Sequence, residues 1–420
     1  MNLLQFGQLS KADQIGYLNY KPPVAIRMQD NFLIQLYNFQ DFYVELLKAE
    51  EIELYIYKTN SSDELDFNEV FFEKGGLDQS RLVASHDPHL HLRESWTGLF
   101  TFIKKRLTGI PNVYFDFINS PIVNGSATKF NGKFFIGINS GVHLIFFDLF
   151  TKLFSSKHNL PQLGISSVEA DENFELSRIL NNGISFDTLR GPFVLPRDSK
   201  RRLYAMQYFY FALDFMLLHE IAHIYLGHVG FINNKLHQEV WSEISYENNL
   251  TNNDDSALSQ SFEIEADIFA TVNFFLATEG LITNPNTLPI VQKEIFKSTQ
   301  IFLEHWIFAI YCQFRIFDFK SIDIQSARKF SHPPTTVRIY SIIFTLQTLL
   351  QKSQILQAQK IILGLYEVIE TAEKSFSSMT YNQNRFDVFI SNFHLANTYL
   401  NEIKTNIPQA KAAAAPYAYF

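Results

Sequence analysis

The chain has 420 residues, 46% of them hydrophobic, and 35 Lys and Arg against 43 Asp and Glu give a formal charge of -8. That length allows a large core and two or three domains, while the negative balance, without a dense Lys/Arg cluster, disfavours nonspecific binding to nucleic acid or anionic lipid. The single cysteine, Cys312, excludes an intrachain disulfide and Cys-rich zinc ligation and fits a reducing, cytoplasmic compartment, as does a segment 1–16 that lacks the features of a secretory signal.

Residues 1–110 mix apolar and charged stretches, with strands expected at 52–57 and 70–72 and a helix at 96–106. Nothing in this region carries readable chemistry. His86, His89 and His91 are irregularly spaced around Pro88, which fits a loop of solvated histidines better than a metal site. From 112 to 138 a β-prone alternation is broken at Ser120-Pro121, Asn124-Gly125 and Asn131-Gly132, the pattern of consecutive hairpin strands. A helix is expected over 141–154. Residues 155–200, rich in Ser, Asn, Gly and Pro, read as a long insertion or lid. Three apolar helical patterns follow at 203–228, 257–278 and 290–319, and further helices are expected at 335–351, 354–375 and 384–404.

The organisation so predicted is an N-terminal α/β region over 1–110, a core over 111–352 carrying the insertion at 155–200, a helical region over 353–406, and a low-complexity tail over 407–420. The fold class is α+β and predominantly helical. No repeat of solenoid period occurs. No run reaches the 18 or so apolar residues of a spanning helix, so no integral membrane span is expected.

The chemistry lies in His219-Glu220-Ile221-Ala222-His223. At 3.6 residues per turn the two imidazoles stand on one helix face, close enough to share one Zn²⁺ at roughly 2.0–2.1 Å. Glu220 flanks that face, where it can accept a proton from a water activated by the metal and pass it to a leaving amine. The flanks 209–218 and 221–226 are apolar except for Asp214 and His223. The helix is therefore expected to be buried, and buried His-Glu-His groups need a partner that offsets their desolvation.

Two histidines leave a tetrahedral zinc incomplete. The next donors come about forty residues on, in Ser259-Gln260-Ser261-Phe262-Glu263-Ile264-Glu265-Ala266-Asp267. Glu263 is the expected third ligand. Asp267, one turn on, shares its face and can orient a ligand histidine through the free ring N–H. Glu265 points about 200° away from Glu263 and remains the alternative ligand.

Together these residues resemble the gluzincin metallopeptidases, in particular the HtpX and CAAX prenyl protease type. The resemblance rests on His219-Glu220-x-x-His223, then Glu263-x-x-Ala266-Asp267, then Ser331-His332-Pro333-Pro334-Thr335-Thr336-Val337-Arg338, which is similar to the family's His-Pro-x-x-x-x-Arg segment. It implies a zincin-like core with a β-hairpin sheet packed on the active helix, one Zn²⁺, and a protein or peptide substrate. It also implies that His332 and Arg338 project into the cleft, where they stabilise an oxyanion or anchor the substrate. Asn124-Gly125-Ser126-Ala127, followed by the Gly-rich stretch 131–141, is similar to the family hairpin that carries Asn-Ala-x-Ala. There an edge strand would pair with an extended substrate. Many members of the family are membrane-embedded, and the lack of an expected span here favours a soluble endopeptidase. Two other readings stay open: a regulatory peptidase that cleaves a repressor in stress or phage-response systems, and a catalytically idle zinc-site module used for binding or sensing. Retention of Glu220 argues against the second.

Overall fold

The computed structural model describes residues 25–29, 32–36, 62–77, 90–176, 179–180, 183–184, 194–235, 240–242, 253–317, 326–355, 357–380, 390 and 393–420. Over these residues the fold is α+β and predominantly helical. The expected strand at 52–57, and His86 and His89, lie outside them. Near the N-terminus a hairpin joins β1 (Ala25–Gln29) and β2 (Phe32–Leu36). The strand expected at 70–72 does not form. Val70 instead ends helix α1 (Ser62–Val70), and Phe72–Lys74 make a 3-10 turn. The helix expected at 96–106 starts earlier, as α2 (Leu90–Arg106).

The sheet that matters for the site contains β3 (Val113–Ile118), β4 (Gly125–Phe130), β5 (Lys133–Asn139) and β8 (Val240–Ser242), in the order β3-β5-β4-β8. Asn131-Gly132 does form a tight hairpin turn, with φ of 49° and 77°, both in the left-handed region that a two-residue loop of this kind needs. The first junction differs from the expected run of hairpins. Residues 119–124 carry the chain past β5 to its far side, so β3 pairs with β5 in parallel and β4 pairs with β5 antiparallel.

After β5 the chain enters helix α3 (Ser140–Ser155), which is buried almost all round, as its Phe- and Leu-rich sequence requires. Two short strands, β6 (Ile179–Leu180) and β7 (Gly183–Ile184), lie in the region expected as an insertion. Helix α4 (Ser199–Tyr225) is capped by Asp198, whose side chain accepts from the Arg201 backbone N–H at 3.0 Å. It ends at Gly227, where φ is +84°, and α5 (His228–Lys235) departs at a bend of 57°. The single helix expected over 203–228 is therefore broken near its end by the left-handed residue that commonly terminates helices.

Helix α6 (Asn253–Thr283) lies beside α4. Its stretch Ser256–Thr283 is long and apolar enough to cross a membrane by length and composition, with 44% of its most apolar window buried inside the protein. The pattern at 290–319 resolves into α7 (Ile290–Ile295) and α8 (Thr299–Phe317). Ser298 interrupts it by capping the second helix, its hydroxyl accepting from the Ile301 N–H at 3.2 Å. Helices α9 (Thr335–Lys352), α10 (Ala358–Thr380) and α11 (Phe393–Ala414) complete the chain. The alanine-rich stretch near the C-terminus is helical, and Ala410 and Ala414 are buried against Ile232 and Phe262.

The largest core cluster joins α3, α4, α8, α9 and α10. Asp214, a polar break in the apolar run of α4, lines a cavity of about 410 Å³ together with Tyr210, Phe211 and Phe274. Burial pushes its carboxyl up to about 7, with the nearby Trp96 indole opposing. A folded-state value above the unfolded one means that this group favours the fold most below about pH 4, an advantage lost as pH rises through 7. Asp214→Asn is accordingly expected to raise stability at pH 8 by about 2 kcal/mol, allowing for the group's partial exposure, and to change it little at pH 4. Thermal midpoints at the two pH values check this, and an equal gain at both would show that ionisation is not the cause.

Candidate metal centre

The centre forms where α4 and α6 pack side by side. His219 and His223, one turn apart on α4, face Glu263 on α6, and none of the three is more than 1% exposed. The two Nε2 atoms are 3.0 Å apart, His219 Nε2 lies 3.3 Å from Glu263 Oε2, and His223 Nε2 lies 3.5 Å from Glu263 Oε1. Among the described residues this is the group whose ligand atoms, all within 4.8 Å of one another, could hold a metal ion. Ligands at ~2.1 Å from a tetrahedral ion are separated by ~3.4 Å, a spacing close to that of the two Nε2 atoms and to the approach of each to one Glu263 oxygen, Oε2 for His219 and Oε1 for His223. Two imidazoles and a carboxylate are also the donor types that zinc takes.

Behind these donors stands a row of supporting groups. His219 Nδ1 lies 3.0 Å from Asp267 Oδ1, which directs the Nδ1 proton to the carboxylate and leaves Nε2 for the centre. Asp267 in turn accepts two bonds from Arg338, from Nε at 2.8 Å and from Nη2 at 2.7 Å. The guanidinium also stacks over Phe314, 4.5 Å from the ring centroid. Arg338 lies in the first turns of α9, where the Pro333-Pro334 start brings it towards α6. The guanidinium is thus held bidentately by Asp267 and is 96% buried.

His332 stands beside Glu263, more exposed than the other residues of the cluster. Its side chain keeps 17% of its surface, with Nε2 3.4 Å from Glu263 Oε1 and Nδ1 2.8 Å from Ser331 Oγ. Glu265 is not in the ligand group. It is buried beside His228, with Oε2 3.6 Å from His228 Nε2, and its other oxygen lies 3.4 Å from Lys411 Nζ.

Electrostatics follow this arrangement. Burial alone would raise Glu263, but the surrounding histidines, His332 foremost, hold it well below the usual carboxylate range. Asp267 is likewise lowered, Arg338 outweighing burial. Burial pulls His219 down, yet its bonds to Asp267 and Glu263 prevail and raise it to about 10. His223 moves well below its ordinary value through burial and the neighbouring imidazoles. The pocket thus presents ionised carboxylates, and a divalent cation would replace the proton that His219 otherwise holds.

Glu220 is fully buried, and strand β4 passes close to it. A Cβ built on Gly125 would lie 2.9 Å from Glu220 Oε1 and 2.7 Å from Met216 Cε. Glycine is therefore what lets the strand approach the helix here.

The reading of Asn124–Ala127 as an edge requires correction. β8 covers β4 through Ser126↔Ser242, Ala127↔Trp241 and Thr128↔Val240. The Asn124 carbonyl accepts from the Asn139 N–H at 2.9 Å, and Asn124, Ser126 and Ala127 are buried. An edge residue cannot be told from an interior one by alternation, because both have the same period.

One residue near the site was not foreseen. Lys74, in the 3-10 turn after α1, donates to Ser126 Oγ at 3.0 Å. Burial lowers its ammonium to about 8, with the Glu220 charge opposing. It is set there by Gly75, where φ is +119° and a Cβ would lie 2.0 Å from the Asn119 carbonyl oxygen. The Gly75-Gly76 pair was the available signal.

Residues 160–358 match the family model Peptidase U49, and this match supports a peptidase acting on protein or peptide. The matched interval contains His219, Glu220, His223, Glu263, Asp267, His332 and Arg338, while β3, β4 and β5 precede it. No curated protein and no solved structure shows significant similarity to the chain.

Proposed function

We propose that the protein is a zinc-dependent endopeptidase of the gluzincin type, similar in its site to the HtpX and CAAX prenyl proteases, with one Zn²⁺ held by His219, His223 and Glu263. The observation that carries this reading is the buried cluster in which the two Nε2 atoms lie 3.0 Å apart and Glu263 approaches His219 through Oε2 at 3.3 Å and His223 through Oε1 at 3.5 Å, next to a buried carboxylate, Glu220, that is not part of it. When bound, the ion supplies Lewis-acid chemistry to a water and to the scissile carbonyl.

This chain's own residues do the rest. Glu220 takes a proton from the attacking water as its oxygen bonds to the carbonyl carbon, and delivers that proton to the amine nitrogen as the C–N bond breaks. His332, beside Glu263 and partly exposed, donates towards the oxygen that gains negative charge. Asp267 fixes the His219 tautomer and is itself fixed by Arg338. While β8 occupies Ser126–Thr128, an extended substrate does not add to those positions of β4. We place the reaction in the cytoplasm, in keeping with the single, buried cysteine, Cys312.

The test is cleavage of an unfolded protein such as casein before and after metal removal. Chelation is expected to lower the rate by at least ~100-fold, and one equivalent of Zn²⁺ to restore it. Metal-free protein that cuts at the full rate would sink the proposal.

A further inference from the structure

We infer that His228, backed by Glu265 and Lys411, positions the ligand His223 and so ties metal affinity to the C-terminal helix α11. The inference rests on the metal reading above and assigns roles to three residues that the reading does not use.

The polarity of the contacts follows from one requirement. If Nε2 of His223 is to offer its lone pair to a cation, the ring proton must sit on Nδ1. That atom lies 3.1 Å from His228 Nδ1, so His223 donates and His228 accepts. His228 must then carry its own proton on Nε2, the nitrogen that faces Glu265 Oε2 at 3.6 Å. Glu265 completes the row through Lys411 Nζ at 3.4 Å. The other ligand histidine has a tighter, hydrogen-bonded counterpart of this row, His219 to Asp267 to Arg338. Each imidazole is thus backed by a carboxylate and a cation, directly for His219 and through an intervening ring for His223.

The fold holds His228 firmly in this place. It is fully buried, and its ring stacks on Phe262 with centroids 4.2 Å apart. The turn before it is closed by the end of the chain. A Cβ on Gly227 would lie 2.5 Å from the Ala414 carbonyl oxygen, and one on Gly230 would lie 2.6 Å from Tyr417 Cβ. The Tyr419 N–H donates to the Tyr225 carbonyl at 3.0 Å. The C-terminal segment therefore seats against the same bend that sets the distance from His228 to His223.

Two substitutions separate positioning from packing. His228→Phe keeps the stack on Phe262 and loses the acceptor, while His228→Asn keeps an acceptor oxygen near the place of Nδ1. The measurements are Zn²⁺ affinity by competition with a chromophoric chelator, the d–d spectrum of the Co²⁺-loaded protein, and the thermal midpoint of the metal-free protein. His228→Phe is expected to weaken Zn²⁺ binding by ~10–100-fold and to shift the Co²⁺ bands, with the metal-free midpoint close to wild type. His228→Asn should stay within ~3-fold of wild type, and Glu265→Gln should fall between the two. Wild-type affinity in His228→Phe would overturn the inference, as would equal losses in Phe and Asn. A wild-type protein that takes up no Zn²⁺ would instead remove the metal reading, and this inference with it.

Discussion

Glu220→Gln is expected to abolish peptide cleavage while leaving Zn²⁺ in place. The carboxylate is fully buried, and β4 approaches so closely that a Cβ on Gly125 would stand 2.9 Å from its Oε1. Glutamine has the same outline and fills the same space, so the substitution removes the base without reshaping the site. A positioned base contributes ~10²–10⁴-fold, and kcat/KM on a fluorogenic peptide should fall by about that factor. Metal content should stay at one equivalent, because Glu220 lies outside the group of His219, His223 and Glu263. Unchanged turnover would remove Glu220 as the base. Retained metal together with lost cleavage would also separate a peptidase from an idle zinc-site module, whose function does not depend on a proton acceptor at this position.

How much of this could be read from the sequence depends on the range of the interaction concerned. His219 and His223, and likewise Glu263 and Asp267, are four residues apart, and the helix period alone puts each pair on one face. Helices α4 and α6 were legible for the same reason, since long apolar patterns at that period have few other solutions. The break at Ser298 was not legible, because a serine within an apolar pattern is a cap only if the backbone turns there. The parallel pairing of β3 with β5 and the cover of β4 by β8 depend on contacts between distant segments that leave no local period. Arg338 shows the limit most clearly. Its presence in the site could be expected from the motif, but its engagement with Asp267 at 2.7 and 2.8 Å is a matter of rotamer and packing. Glu265 shows it again: a residue about 200° around the helix from the ligand face could have been solvated, yet α5 and α11 bury it.

That same contrast yields the second large effect. Glu263→Ala is expected to weaken Zn²⁺ binding by more than ~100-fold, above the 10–100-fold typical of supporting groups. Two imidazoles would remain, without the carboxylate that supplies both the third donor and the neutralising charge. The loss should also reach the metal-free fold. His219 owes its elevated value of about 10 partly to Glu263, and removing one partner of a buried charged pair costs about 3 kcal/mol. Glu265→Ala should behave differently. Its carboxylate touches His228 and Lys411 rather than the group of His219, His223 and Glu263, so the metal should be held ~10-fold less tightly at most. Equilibrium Zn²⁺ competition and thermal midpoints on the two variants, prepared alike, decide the matter. If Glu265→Ala lost the metal and Glu263→Ala kept it, the ligand assignment would be reversed. The 3.3 and 3.5 Å approaches of Glu263 to the two histidines would then be no more than an ion pair in a buried polar network.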